Sequence, residues 1–253
     1  MTGNTETVVK ICGVRTAAAA IEAANAGADI IGMIFAPSPR LISIETGHEI
    51  AKAVRAADSN QQPLSLAHSS IKADASASEY FSACAQHLLD ARKKFGRPLL
   101  AGVFQNQDLE HILDVVKQVP LDLVQLHGTE SIEMCLDIPV PVIKVFHVDD
   151  TFSQENESEL FKTFRHSLIL LDTKVAGTSQ QGGRGVSFDW GIARKLGDTA
   201  KVPFLMAGGL TPENISEAVA VGRPWGVDVS SGVETEKAKD SSKIHAFARN
   251  ARK

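Results

Sequence analysis

The 253-residue sequence predicts an α/β chain that closes into a single (βα)8 barrel, and three observations predict it. Short apolar runs alternate with amphipathic stretches in eight successive units, the order that yields parallel strands joined by helical crossovers. In several strand candidates one alternating phase is apolar while the other carries polar residues near the C-terminal end. Glycine-rich segments follow the last three candidates, where barrels of this kind commonly hold phosphate. The length suits one such domain over 1–253, and a hydrophobic content of 43% suffices to fill its core. The competing doubly wound sheet lacks its signature, since no G-x-G-x-x-G turn follows the first strand.

The elements read in order as follows. Val8–Cys12 is the first strand, with Val9 and Ile11 in one phase and Lys10 and Cys12 in the other. A helix over Ala17–Ala26 leads to the strand Asp29–Phe35 and the helix Ile44–Ala57. Residues of about 58–97 break the rhythm: a forty-residue gap is too long for a plain barrel loop, so the chain carries an insertion between its second helix and third strand. Ala57–Ala77 reads as a mobile surface segment and Ser78–Phe95 as an extra helix. Lying between a helix and a strand, it belongs at the barrel's N-terminal end. The strand Leu99–Phe104, helix Leu109–Val119 and strand Asp122–His127 follow, the last alternating Val124 and Leu126 with Gln125 and His127. Next come a helix over Ser131–Leu136, a strand over Val140–Phe146 and a helix over Phe152–Phe164. Leu168–Asp172 sets Leu168, Leu170 and Asp172 on one face. Helix Trp190–Leu196, strand Pro203–Ala207, helix Glu213–Val221, strand Gly226–Val229 and helix Ser242–Ala251 complete the chain, with Asp228 opposite in phase to Val227 and Val229.

A net charge of −4 lacks the basic excess that nucleic acid or an anionic membrane surface would attract. No stretch reads as a membrane span, and residues 1–7 carry no signal-peptide pattern. Three cysteines without a C-x-x-C pair suit a reducing compartment, so the expected location is cytoplasmic.

The inward phase assembles three constellations. Gly208 and Gly209 after the seventh strand, with Thr211-Pro212 opening the next helix, and Ser230-Ser231-Gly232 after the eighth present backbone amides to an anion. Gly183 and Gly185, flanking Arg184 in the polar stretch 174–187, add a third glycine loop that could close as a lid. Cys12 and Asp172, facing each other across the barrel mouth, suit a base and an acid. Lys10, on the face of Cys12, either favours its thiolate or forms an ion pair inside the barrel with Asp228. Arg40, stiffened by Pro37 and Pro39, suits bidentate capture of a carboxylate, and His127 ends the fourth strand within reach of the pocket.

Together these residues resemble the phosphoribosylanthranilate isomerases of tryptophan biosynthesis. The runs that carry the resemblance include Lys10-Ile11-Cys12-Gly13, Ser38-Pro39-Arg40, Val124-Gln125-Leu126-His127-Gly128, Leu171-Asp172-Thr173, Ala207-Gly208-Gly209-Leu210-Thr211-Pro212-Glu213-Asn214 and Asp228-Val229-Ser230-Ser231-Gly232-Val233-Glu234. They span nearly the whole chain outside about 58–97. The resemblance implies a TIM barrel and an Amadori rearrangement of a phosphorylated ribosylamine, with Asp172 as general acid and Cys12 as general base. It further implies Arg40 on the anthranilate carboxylate, Asp228 beside the substrate, the glycine loops on phosphate, and no cofactor or metal. This chemistry asks for a Cys12 thiolate and a protonated Asp172, each against its ordinary state at neutral pH; Lys10 is expected to provide the first, burial and repulsion from Asp228 the second. The insertion is similar to that of fungal members, where the isomerase is often the last domain of a multifunctional chain, so a free enzyme and an excised domain fused to other tryptophan-pathway domains are both expected forms. The alternatives are another sugar-phosphate barrel isomerase and a barrel that binds sugar phosphate without turnover.

Overall fold

Eight parallel strands pair in sequence order and the eighth returns to the first, closing the barrel in the computed structural model. The structure describes residues 6–56, 64, 74–148, 165–173 and 190–253. The strands are β1 (Val8–Ile11), β2 (Ile30–Ile34), β3 (Leu99–Phe104), β4 (Leu123–Leu126), β5 (Val142–Val148), β6 (Leu168–Thr173), β7 (Phe204–Met206) and β8 (Gly226–Val229). The helices are α1 (Ala17–Asn25), α2 (Ile44–Arg55), α3 (Ala77–Phe95), α4 (Leu109–Gln118), α5 (Trp190–Ala200), α6 (Ile215–Gly222) and α7 (Ser241–Asn250). Among the described residues, no helix is long and apolar enough to cross a membrane.

The alternating strand pattern sorts the core into two shells. Residues of one phase, such as Val9, Ile11, Ile31, Met33, Val124, Leu126, Val227 and Val229, pack outward in a cluster shared with the surrounding helices. The opposite phase, including Val8, Ile30, Leu99, Leu123, Ile143, Leu168 and Leu205, fills the interior. Side chains at alternate positions must point to opposite faces, so a single register fixes both shells.

Helix α3 closes the floor. Ser76 caps it in a reciprocal capping box with Glu79, and Gly96 ends it in the left-handed region at φ 65°. Its Ala85, Leu88, Ala91 and Phe95 join the interior cluster at the strands' N-terminal ends, as the position of this helix in the chain predicted. Ala57–Ala77 was expected as a mobile surface segment. Residues 57–63 and 65–73 of it lie outside the described residues, while Leu64 is buried in the same interior cluster, so the segment is not wholly superficial. Beneath the barrel wall Asp122 accepts from Arg97, from Arg55 and from the Leu100 amide, tying α2 to the starts of β3 and β4.

Several boundaries differ from expectation for local reasons. Strand β5 starts at Val142 because Pro141 has no amide to donate, and it runs on to pair His147 with Asp172. The helix expected over Ser131–Leu136 is a short 3₁₀ turn, Glu133–Leu136, since the connection to β5 is too short for full α-helical turns. Helix α6 starts at Ile215 rather than Glu213; the Thr211 hydroxyl accepts only from the Glu213 amide. The helix expected over Phe152–Phe164 lies outside the described residues. Beyond β8 the sequence reading missed a hairpin, β9 (Glu234–Thr235) and β10 (Ala238–Lys239). Its turn holds Glu236 and Lys237 at φ 51° and 64°, with none of the glycine or asparagine that usually marks such a turn.

Candidate active site

At the C-terminal ends of the strands the interior opens into a cavity lined by ten of the residues singled out from sequence: Cys12, Arg40, His127, Asp172, Gly208, Gly209, Asp228, Ser230, Ser231 and Gly232. Gly183 and Gly185, with the rest of 174–189, lie outside the described residues. Among the described residues no group of three His, Cys, Asp or Glu side chains is placed to hold a metal ion.

Lys10 does not reach the cavity surface as expected of a substrate-binding residue. Its side chain is fully buried, and Nζ bonds Asp228 Oδ1 at 2.9 Å across the β1–β8 pairing. Burial pulls the Lys10 pKa down, but the charges of Asp228 and Cys12 outweigh it and hold the pKa above its ordinary value. The ammonium also lies within electrostatic reach of Cys12. Burial raises the Cys12 pKa, Lys10 lowers it in the expected direction, Asp228 raises it again, and the net shift is upward from 9.0. Desolvating a thiolate at a buried position costs more than one shared ammonium returns. Asp228 pairs with Lys10, the second of the two readings of that lysine. Room for these groups comes from Gly32, which the sequence reading passed over: a Cβ there would lie 2.8 Å from Cys12 Sγ and 3.2 Å from Lys10 Nζ.

Asp172 is buried at the end of β6, with His127 Nε2 3.3 Å from its Oδ2. Gln125 Nε2 lies 3.0 Å from His127 Nδ1, on the far side of the ring from Asp172. His147 approaches from β5, its Nε2 3.2 Å from the His127 carbonyl. Burial, with His127 next, keeps the His147 pKa below its ordinary value. The inward phase of Gln125 was visible in the sequence; the approach of His147 was not.

Arg40 does not stand open. Its Nε and Nη2 donate to Glu234 Oε1 and Oε2 at 2.7 and 2.8 Å, a side-on bidentate pair across the mouth. Gly13, at φ 72°, lets the arginine stem cross the end of β1, since a Cβ there would meet Arg40 Cδ at 2.5 Å. Lys239 Nζ bonds Glu234 Oε1 at 2.9 Å and the Ser230 carbonyl at 2.8 Å. Neither Glu234 nor Lys239 was given a role from sequence, although Glu234 stands in a quoted run.

The two anion loops meet beside this pair. Gly208 and Gly209 adopt φ 94° and 62°, and among the described residues neither amide meets an acceptor. Gly232 packs so tightly that a Cβ would lie 1.9 Å from the Leu210 carbonyl oxygen. Only glycines allow these backbones to approach one another and an anion.

A family model described as N-(5'-phosphoribosyl)anthranilate (PRA) isomerase matches residues 60–250. The multifunctional tryptophan biosynthesis protein of Phycomyces blakesleeanus is 41% identical over 96% of the chain, but the chain spans only 32% of that protein. The N-(5'-phosphoribosyl)anthranilate isomerase of Dehalococcoides mccartyi is 37% identical, over 94% of the chain and 92% of the relative. A solved phosphoribosyl anthranilate isomerase in complex with reduced 1-(o-carboxyphenylamino)-1-deoxyribulose 5-phosphate is 31% identical, with a TM-score of 0.67 over 97% of this chain and 98% of that one.

Proposed function

The chain belongs to the N-(5'-phosphoribosyl)anthranilate isomerase family, and from that premise we propose that it converts N-(5'-phosphoribosyl)anthranilate to 1-(2-carboxyphenylamino)-1-deoxyribulose 5-phosphate in tryptophan biosynthesis. The observation that carries this reading is a single cavity lined by an acid and a base, Asp172 and Cys12, between a guanidinium and two glycine loops. The glycine loops hold phosphate at one end and Arg40 holds the anthranilate carboxylate at the other. Asp172 gives its proton to the furanose oxygen as the C1–O bond breaks, leaving an iminium at C1. Cys12 then removes the C2 proton, and the released electron pair neutralises the iminium to an enolamine, which tautomerises to the ketone. His127, held by Gln125, keeps the Asp172 carboxyl directed into the cavity, and Asp228 anchors the Lys10 ammonium beneath Cys12. Gly183 and Gly185 complete the phosphate end, and no cofactor takes part.

We further read 1–253 as one barrel domain, with its insertion at about 58–97, acting in the cytoplasm on a small sugar phosphate. The length of the Phycomyces relative supports a form fused to other tryptophan-pathway domains. The test is the loss of anthranilate-type fluorescence on adding N-(5'-phosphoribosyl)anthranilate. Turnover by the parent, abolished in Asp172→Ala, is expected. An inactive parent or undiminished turnover by Asp172→Ala defeats the assignment.

A further inference from the structure

Among the described residues, three charges at the mouth of the barrel are joined together, Arg40, Glu234 and Lys239, not the single guanidinium the carboxylate would need. Arg40 and Lys239 share Glu234, leaving one net positive charge. Glu234 takes the Nε and Nη2 edge of Arg40, and among the described residues no acceptor meets Nη1. The end-on edge of the fork is therefore open to a second carboxylate. Lys239 lies directly across the β9–β10 ladder from Glu234 and also bonds the Ser230 carbonyl, in the loop after β8. The hairpin that pairs them is anchored by Lys243 Nζ on the Glu234 carbonyl and by Arg15 on the Lys237 carbonyl. It keeps two non-glycine residues, Glu236 and Lys237, in the left-handed region, which side chains disfavour.

We propose that Glu234 and Lys239 are positioning residues: Glu234 orients the Arg40 guanidinium so that its end-on edge meets the substrate carboxylate, and Lys239 ties that clamp to the phosphate loop. The proposal rests on the function stated above and deepens it. Glu234 has two opposed effects on Arg40. As an anion it competes with the substrate carboxylate; as a splint it removes the rotamer freedom that a long side chain otherwise loses on binding. The splint prevails because Lys239 already offsets the charge of Glu234, and without Glu234 the two cations would repel each other.

The test measures kcat and KM for the parent, Glu234→Gln, Lys239→Met, Arg40→Ala and Arg40→Ala/Glu234→Gln, using N-(5'-phosphoribosyl)anthranilate. Inhibition constants are taken in parallel for the reduced product analogue with and without its ring carboxylate. Glu234→Gln is expected to raise KM about tenfold with kcat within about twofold, and to weaken only the inhibitor that bears the carboxylate. Lys239→Met should act in the same direction, and Glu234→Gln should add nothing in the Arg40→Ala background. A lower KM in Glu234→Gln would make Glu234 a competitor and overturn the proposal. Equal weakening of both inhibitors, or additive losses in the double variant, would also overturn it. If Glu234→Gln does not fold, the same readouts on Lys239→Met decide. A parent without turnover defeats the isomerase assignment itself, an outcome visible before any variant is made.

Discussion

Replacing Asp228 by Asn isolates the ion pair beneath the site. Lys10 has no exposed side-chain surface and Asp228 only 9%, with 2.9 Å between the charged atoms. Removing one partner of a buried pair costs about 3–5 kcal/mol because the other charge is stranded. Here the loss also has a ceiling, since Lys10 can shed its proton. Taking a group with an ordinary pKa of 10.5 to its neutral form costs about 4.8 kcal/mol at pH 7 and about 2 kcal/mol at pH 9. In the parent the Lys10 pKa is raised, so the stability of the pair is fully present below 10.5 and is lost only as pH rises through the folded value. In Asp228→Asn the folded Lys10 pKa falls below its unfolded value, and the deficit should shrink steadily from pH 7 to pH 9. Urea unfolding at several pH values measures it. Lys10→Met with Asp228→Asn removes both charges and should recover most of the loss. A deficit independent of pH, or a double variant that loses the sum of the singles, would refute the stranded-ammonium account.

Other expectations follow from the same geometry. Because burial holds the Cys12 thiol above 9.0, kcat/KM should still be climbing with pH at 9, and Lys10→Met should move that limb higher. A plateau by about pH 8 in the parent would exclude the Cys12 thiolate as the base. Gly32→Ala forces a methyl toward Cys12 Sγ and to 3.1 Å from the Cys12 Cα, so kcat/KM should drop about a hundredfold with the far-UV spectrum unchanged. In Gly232→Ala the clash with the Leu210 carbonyl should weaken inhibition by inorganic phosphate about tenfold or more, measured by competition. Burial raises the Glu130 pKa, but the Asn106 amide and Lys144 more than offset it, and the net shift is downward. Its contribution to stability is therefore present above about 4.5 and lost as pH falls through the folded value. Glu130→Gln should flatten that acid limb in thermal melts.

What the sequence made legible was set by local periodicity. Alternation placed Lys10, Cys12, Gln125, His127, Asp172 and Asp228 in the inward phase, because polar residues in an otherwise apolar strand have few places to point. The site of α3 was legible from its place between a helix and a strand. Pairing at a distance was not. Arg40 and Glu234 lie 194 residues apart and meet only once β8 closes on β1. The hairpin that presents Glu234 escaped notice because Glu236 and Lys237 lack the turn chemistry such bends usually carry. The state of Cys12 was legible only in part: the neighbouring Lys10 could be read from the sequence, whereas the desolvation that outweighs it exists only in the closed barrel.

Burial therefore accounts for both the strength of the Lys10–Asp228 pair and the raised pKa of the Cys12 thiol. Helix α3 packs Ala85, Leu88 and Phe95 into the barrel interior, and within that interior Lys10 is fully buried. At such buried positions the attraction between Lys10 and Asp228 is large, and the cost of a thiolate at Cys12 is large for the same reason. Toward the mouth the arrangement reverses, with charges at Arg40, Glu234 and Lys239 and glycines in the loops after β7 and β8. A substrate fixed by its two anionic ends at the polar rim would bring its reacting sugar carbons down toward the buried floor. Binding energy gathered at the rim then meets the desolvation that chemistry at the floor requires, without any change in the floor itself.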